Sequence, residues 1–149
     1  MKNASIVVFS ILNLIMCTQK KSINSSEIKI ENTKSTGDKE TDKLIINLKK
    51  SMVDFMTVSK PLYSQNDIDE CISILSEYTT KILKTHSREE AMLIVKSTVL
   101  KLNTLNEKCN FSLIETNERE QITEIIILAS HKMKYNSLNE DITEEWREW

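Results

Sequence analysis

The chain has 149 residues, room for one domain, and carries a single glycine (Gly37) and a single proline (Pro61). Sandwiches and barrels of β-strands need many tight turns built on Gly and Pro, so this composition points to helices joined by short loops. A formal charge of −2 and an aromatic share of 5% leave neither the basic stripe of a nucleic-acid binder nor a platform for stacking bases, so no nucleic-acid partner is expected.

Residues 1–17 read MKNASIVVFSILNLIMC. Lys2 gives a short positive start, and Ala4 to Met16 form a mostly apolar run broken by Ser5, Ser10 and Asn13. A membrane-spanning helix needs about 20 apolar residues, so the run is too short to span and matches the apolar core of a signal peptide. It ends Leu14-Ile15-Met16-Cys17, without a small-x-small cleavage site. This ending resembles the lipobox of bacterial lipoproteins, in which the cysteine receives a diacylglyceryl group and becomes the mature N-terminus. Leu14 and Ile15 fit the pattern; Met16 stands where a small residue is usual. The resemblance covers the leader alone. It implies a signal peptide over 1–16, lipidation (palmitate or a similar acyl chain) at Cys17, and a membrane anchor in the bacterial envelope with the domain outside the cytoplasm. An ordinary apolar leader that holds a cysteine is the alternative.

Residues 17–40 read as a tether. Thr18 to Glu40 is rich in Ser, Thr, Asn, Lys and Glu and cannot bury enough apolar surface to offset the entropy of ordering. A flexible chain of this length spans roughly 25 Å. A short strand at Glu27–Glu31 would lack a partner.

Residues 41–149 read as an all-α domain, an antiparallel four-helix bundle with a short C-terminal helical or docked tail. From Thr41 to about Val58, Leu44, Ile45, Leu48, Met52, Phe55 and Met56 recur at helical spacing, and Pro61 stops the run. Ser64 with Asp67 caps a second helix, whose core face is Ile68, Cys71, Ile72, Leu75, Thr79, Ile82 and Leu83. Ser87 with Glu90 forms a capping box for a third. Its core face is Ala91, Ile94, Val95, Thr98, Leu102 and Leu105, with Met92 and Val99 marking a second buried side. After a loop near Cys109–Glu115, Thr116 is expected to cap a fourth helix with Ile122, Ile125, Ile126, Ala129 and Met133 inward. Acids at its start and lysines at its end complement the helix dipole.

The chain ends DITEEWREW, and Glu140 to Trp149 holds five acids and one arginine. Leu138, Ile142, Trp146 and Trp149 fall on one helical face, and Asp141 with Glu144 is a candidate cap. So short a helix is unstable alone and must dock or fray. Either Ile142, Trp146 and Trp149 pack on the chain's own bundle, or they form an exposed partner contact, since tryptophan dominates interface hot spots. The string is similar to the end of a family of small helical bacterial proteins without assigned activity, which implies no mechanism.

Cys71 and Cys109 sit unequally about the turn near His86, a mismatch of about 12 Å at ~1.5 Å per residue. A disulfide, which requires Cα atoms within roughly 7 Å, forms only if the chain folds back after Asn106. Otherwise Cys71 is a small core residue. His86 and His131, the only histidines, belong to no zinc spacing or His-Glu-x-x-His motif. No glycine-rich loop is present to cradle a phosphate. No catalytic, cofactor or metal residues are expected, and the chain is read as not an enzyme. The expectation is a lipid-anchored binding module for an unknown protein partner, an inhibitor or immunity-type protein being one form. The alternatives are a carrier of an apolar ligand between the helices, or a small helical enzyme.

Overall fold

The computed structural model describes residues 34–149; the expected leader, Cys17 and the tether as far as residue 33 lie outside the described residues. Four helices follow in order: α1 (Lys39–Ser59), α2 (Gln65–Ile82), α3 (Arg88–Lys108) and α4 (Thr116–Lys132). They form an all-α four-helix bundle, with no strand among the described residues.

Each helix begins where a side chain can take up otherwise unpaired amide protons of the first turn. Asp38 caps α1, accepting from the Thr41 N–H and the Thr41 hydroxyl, both at 2.8 Å. The helix thus starts two residues before Thr41, the first residue the apolar pattern marks. Ser64 and Asp67 form the box on α2, with the Ser64 N–H donating to Asp67 Oδ2 at 2.8 Å. Ser87 caps α3 through the Glu90 N–H. On α4 the cap is Glu115, paired reciprocally with Glu118, and Thr116 is the first helical residue rather than the cap. Lys60, left-handed at φ 49°, and Pro61 end α1.

The helices alternate in direction. Lys49 on α1 pairs with Asp69 on α2 at 3.1 Å. Lys108 at the end of α3 reaches Asp67 and Glu70 at the start of α2. Lys132 at the end of α4 reaches Asp38 and Glu40 at the start of α1. Their arrangement is not a square. α2 packs on all three other helices, α4 on α1 and α2, and α3 chiefly on α2. One core runs through Ile45, Leu48, Met52, Ile68, Leu75, Val95, Leu102, Ile122 and Ile126, none of which retains exposure. Tyr78 is enclosed too, and its hydroxyl donates to the Ile126 carbonyl at 2.8 Å, joining α2 to α4. Such a bond is required because a buried hydroxyl without a partner costs on the order of 1–3 kcal/mol.

Three details of the core differ from the apolar pattern. Phe55 is 43% exposed, while Lys49 and Val53 take buried places on α1. The stripe that meets α2 and α4 follows four-residue steps through Thr41, Ile45, Lys49 and Val53, and Phe55 falls off its edge. The Lys49 stem is buried while its ammonium meets Asp69 at the rim, the usual way a long cationic side chain covers apolar surface. Met133 is the C-cap residue of α4 and lies outside the core.

Candidate functional site

The C-terminal tail is bonded to α3 and shares a groove lining with α4. After α4 the chain turns at left-handed Lys134 and comes back along α3. Arg88 donates to the Tyr135 carbonyl and to Glu140, both at 2.9 Å. The Tyr135 hydroxyl donates to the Thr85 carbonyl at 3.0 Å. Further on, the Asn103 side-chain amide donates to the Trp146 carbonyl at 2.8 Å and accepts from the Glu148 N–H at 3.2 Å. The amide engages the tail backbone as a neighbouring strand would. Both its polar ends are satisfied while Asn103 is 8% exposed.

The tail is docked, but it is not a helix. It makes a short turn at Leu138–Asn139, closed by the Glu140 N–H on the Ser137 carbonyl, and a longer one at Ile142–Trp146, closed by Trp146 N–H and Arg147 N–H bonds to the Thr143 carbonyl. Asp141 organises that turn. It accepts from the Thr143 N–H and hydroxyl and pairs with Arg147. Burial would raise the Asp141 carboxyl, but these partners outweigh it and hold it below the usual carboxylate range. Asp141 therefore does start a turn, through Thr143 rather than Glu144. With no continuous helix, the expected single face of Leu138, Ile142, Trp146 and Trp149 divides. Ile142 is 7% exposed and belongs to the core, and Trp146 and Trp149 pack against it half-buried, whereas Leu138 stays 55% exposed. Lys96 lies 5.9 Å from the centre of the Trp146 ring. Of the three candidate contact residues, Ile142 thus has little free surface in the docked state, and the two tryptophans keep part of theirs.

The opposite side of the tail helps form a groove of about 650 Å³ with α1 and α4. Its apolar lining is Leu44, Ile127, Leu128 and Leu138. Glu40, Glu120, Glu124 and Asp141 face it, against Arg119 and Arg147. The Thr123 hydroxyl, in the same wall, has no hydrogen-bond partner among the described residues. A second recess, about 290 Å³, lies where the α3–α4 loop meets α1, with Phe55, Tyr63 and Glu118 in its lining.

Cys71 and Cys109 are buried free thiols. The loop does fold back, with the Phe111 N–H bonded to the Asn106 carbonyl at 2.8 Å and Asn110 and Phe111 in the left-handed region. Burial, aided by nearby carboxylates, pushes the Cys71 thiol up to about 12, so it is not poised as a nucleophile. His131 Nδ1 bonds the Asn136 carbonyl at 2.8 Å, helping to shape the turn out of α4. Among the described residues no group of three His, Cys, Asp or Glu side chains is placed to hold a metal ion, and no helix is long and apolar enough to cross a membrane.

The apolar pattern did not reveal Asn103 and Asn106. Asn106 is 2% exposed, and its side-chain oxygen accepts the Leu113 and Ile114 N–H groups at 3.2 and 2.9 Å, fixing the α3–α4 loop. An asparagine inside an amphipathic helix is the one available signal, because its amide favours local backbone bonds over a helix interior. Comparison with family models, with curated proteins and with solved structures gave no match for this chain.

Proposed function

We propose that this chain is a lipid-anchored binding module of the bacterial cell envelope. Cys17 would carry the acyl anchor, the polar stretch between it and the start of α1 would hold the bundle clear of the head groups, and the bundle would engage a protein partner as an inhibitor or immunity-type protein does. The observation that carries this reading is the apolar run Ala4–Met16, closed by Leu14-Ile15-Met16-Cys17 and followed at once by polar sequence. Acyl attachment stabilises membrane residence by about 0.8 kcal/mol per buried methylene, so several chains make a firm anchor. The helical domain supports it in one respect. The groove between α1, α4 and the tail sets apolar side chains among charges, the composition of a recognition surface.

Fatty-acid labelling in cells tests the anchor. The expected result is label on the native chain, loss of label in Cys17→Ser, and accumulation of a longer precursor under globomycin. Label that persists in Cys17→Ser, or mature protein that still begins at Met1, would overturn the reading.

A further inference from the structure

The groove has a shape and a charge that select one kind of occupant. Along α4 its lining residues come from successive turns, Arg119 and Glu120, then Thr123 and Glu124, then Ile127 and Leu128. Glu40 and Leu44 contribute one turn of α1. A helix laid beside α4 meets such a surface with side chains at i, i+3/i+4 and i+7, the usual mode of helix-in-groove recognition. The charge is lopsided. Glu40 is engaged by Lys132 and Asp141 by Arg147. Glu120 and Glu124 are exposed and have no salt-bridge partner among the described residues, and Arg119 is the one lining cation outside such a pair. An acidic rim repels anionic lipid and nucleic acid and attracts a cationic chain.

We propose that this groove receives a basic amphipathic helix presented by a protein partner, with an apolar stripe on Leu44, Ile127, Leu128 and Leu138 and Lys or Arg side chains on Glu120 and Glu124. The proposal rests on the binding-module reading and adds the chemistry of the partner. The tail is part of it. Docking on α3 through Asn103 turns Ile142 inward and leaves Leu138 as the groove's outer wall.

The test uses the full chain in phosphatidylcholine nanodiscs, with empty discs as control. The probes are two fluorescent peptides of about 18 residues, roughly 27 Å as a helix. They share one leucine stripe, flanked by lysine in one and by glutamate in the other. The lysine peptide should bind, the glutamate peptide at least about tenfold more weakly, and added salt should narrow the gap. The double change Glu120→Lys and Glu124→Lys should reverse the preference. Both positions are exposed, so the fold should be retained, as circular dichroism would report. Leu138→Asp should abolish binding, and Leu93→Asp, on the exposed side of α3, should leave it intact. Absence of binding, equal binding of both peptides, or binding that survives Leu138→Asp would overturn the proposal. So would attachment of the Cys17→Ser chain to phosphatidylglycerol vesicles that Leu138→Asp removes, because the groove would then face lipid. Labelling at Cys17 is a separate readout, so failure of the anchor and failure of the groove are told apart.

Discussion

The seam between α1 and α2 and the seam between α3 and the tail hold the same domain together by different means. The first is closed by Ile45, Leu48 and Met52 on α1 and Ile68, Cys71 and Leu75 on α2, all without exposure, and is held by area removed from water. The second contains Ile142 and the flanks of two tryptophans, but its register is set by Asn103, Arg88 and Asp141. Apolar burial is non-directional and contributes about 25 cal/mol per Å². Hydrogen bonds contribute less on net but fix direction and position. The first seam should therefore govern global stability, and the second should govern where the tail lies and whether the groove has its outer wall.

The largest effect should come from Leu48→Ala, which opens a cavity in the first seam. A loss of about 2–5 kcal/mol is expected, read as a lower denaturant midpoint with all probes moving together. Next is Asn103→Ala, which leaves the Trp146 carbonyl and the Glu148 N–H without partners. We expect a loss of about 1–3 kcal/mol. Trp146 and Trp149 are the only tryptophans in the chain, so their emission reports on the tail alone. It should shift to the red and become quenchable at denaturant concentrations where the helical signal is intact. Coincident transitions would show that the two seams are one cooperative unit.

Acid should sharpen the contrast at a third point, where Lys132 ties α4 to the cap of α1. Burial would raise the Asp38 carboxyl, but the Lys132 ammonium and the Thr41 N–H and hydroxyl overcome it and hold it at about 2. A carboxyl depressed in the folded state stabilises it above the unfolded value of about 3.9, and that contribution fades as pH falls through about 2. Roughly 1–2 kcal/mol should be lost across that window, and Asp38→Asn should flatten this part of the pH profile. A profile unchanged by Asp38→Asn would show that the pair does not couple the two helices. The smallest effect should be that of Arg88→Ala. It removes a half-exposed pair with Glu140 and a bond to the Tyr135 carbonyl and should cost about 0–1 kcal/mol. Tryptophan emission should barely move, since Asn103 holds the tail further along.

These seams also differ in how much of each the amino-acid sequence specifies locally. Ile68, Cys71, Ile72, Leu75, Thr79 and Ile82 announce the buried face of α2 because helical periodicity places them on one side whatever the neighbours are. Ser64 and Ser87 announce helix starts because capping is local chemistry. Phe55 misled, since the same period permits more than one stripe and only the partner helices choose between them. The tail was legible as a segment that must dock, from its length and its tryptophans, but not in its conformation. The turn at Asp141–Thr143–Arg147 and the amide of Asn103, some 40 positions earlier, jointly displace the helix that its spacing suggests. The groove was not legible at all, because Leu44, Ile127 and Leu138 come from three separate segments.

The amino-acid sequence alone determined that the domain is helical, where α2 and α3 begin, that Pro61 stops α1, and which residues of α2 turn inward. It did so because turn chemistry, capping and periodicity act over a few residues. Only the tertiary structure decided that α2 is the hub, that the tail is bonded to α3 through Asn103, and that Leu138 faces a groove while Ile142 is buried. Those outcomes depend on pairings between distant residues, and local periodicity carries no record of which distant partner a face will meet.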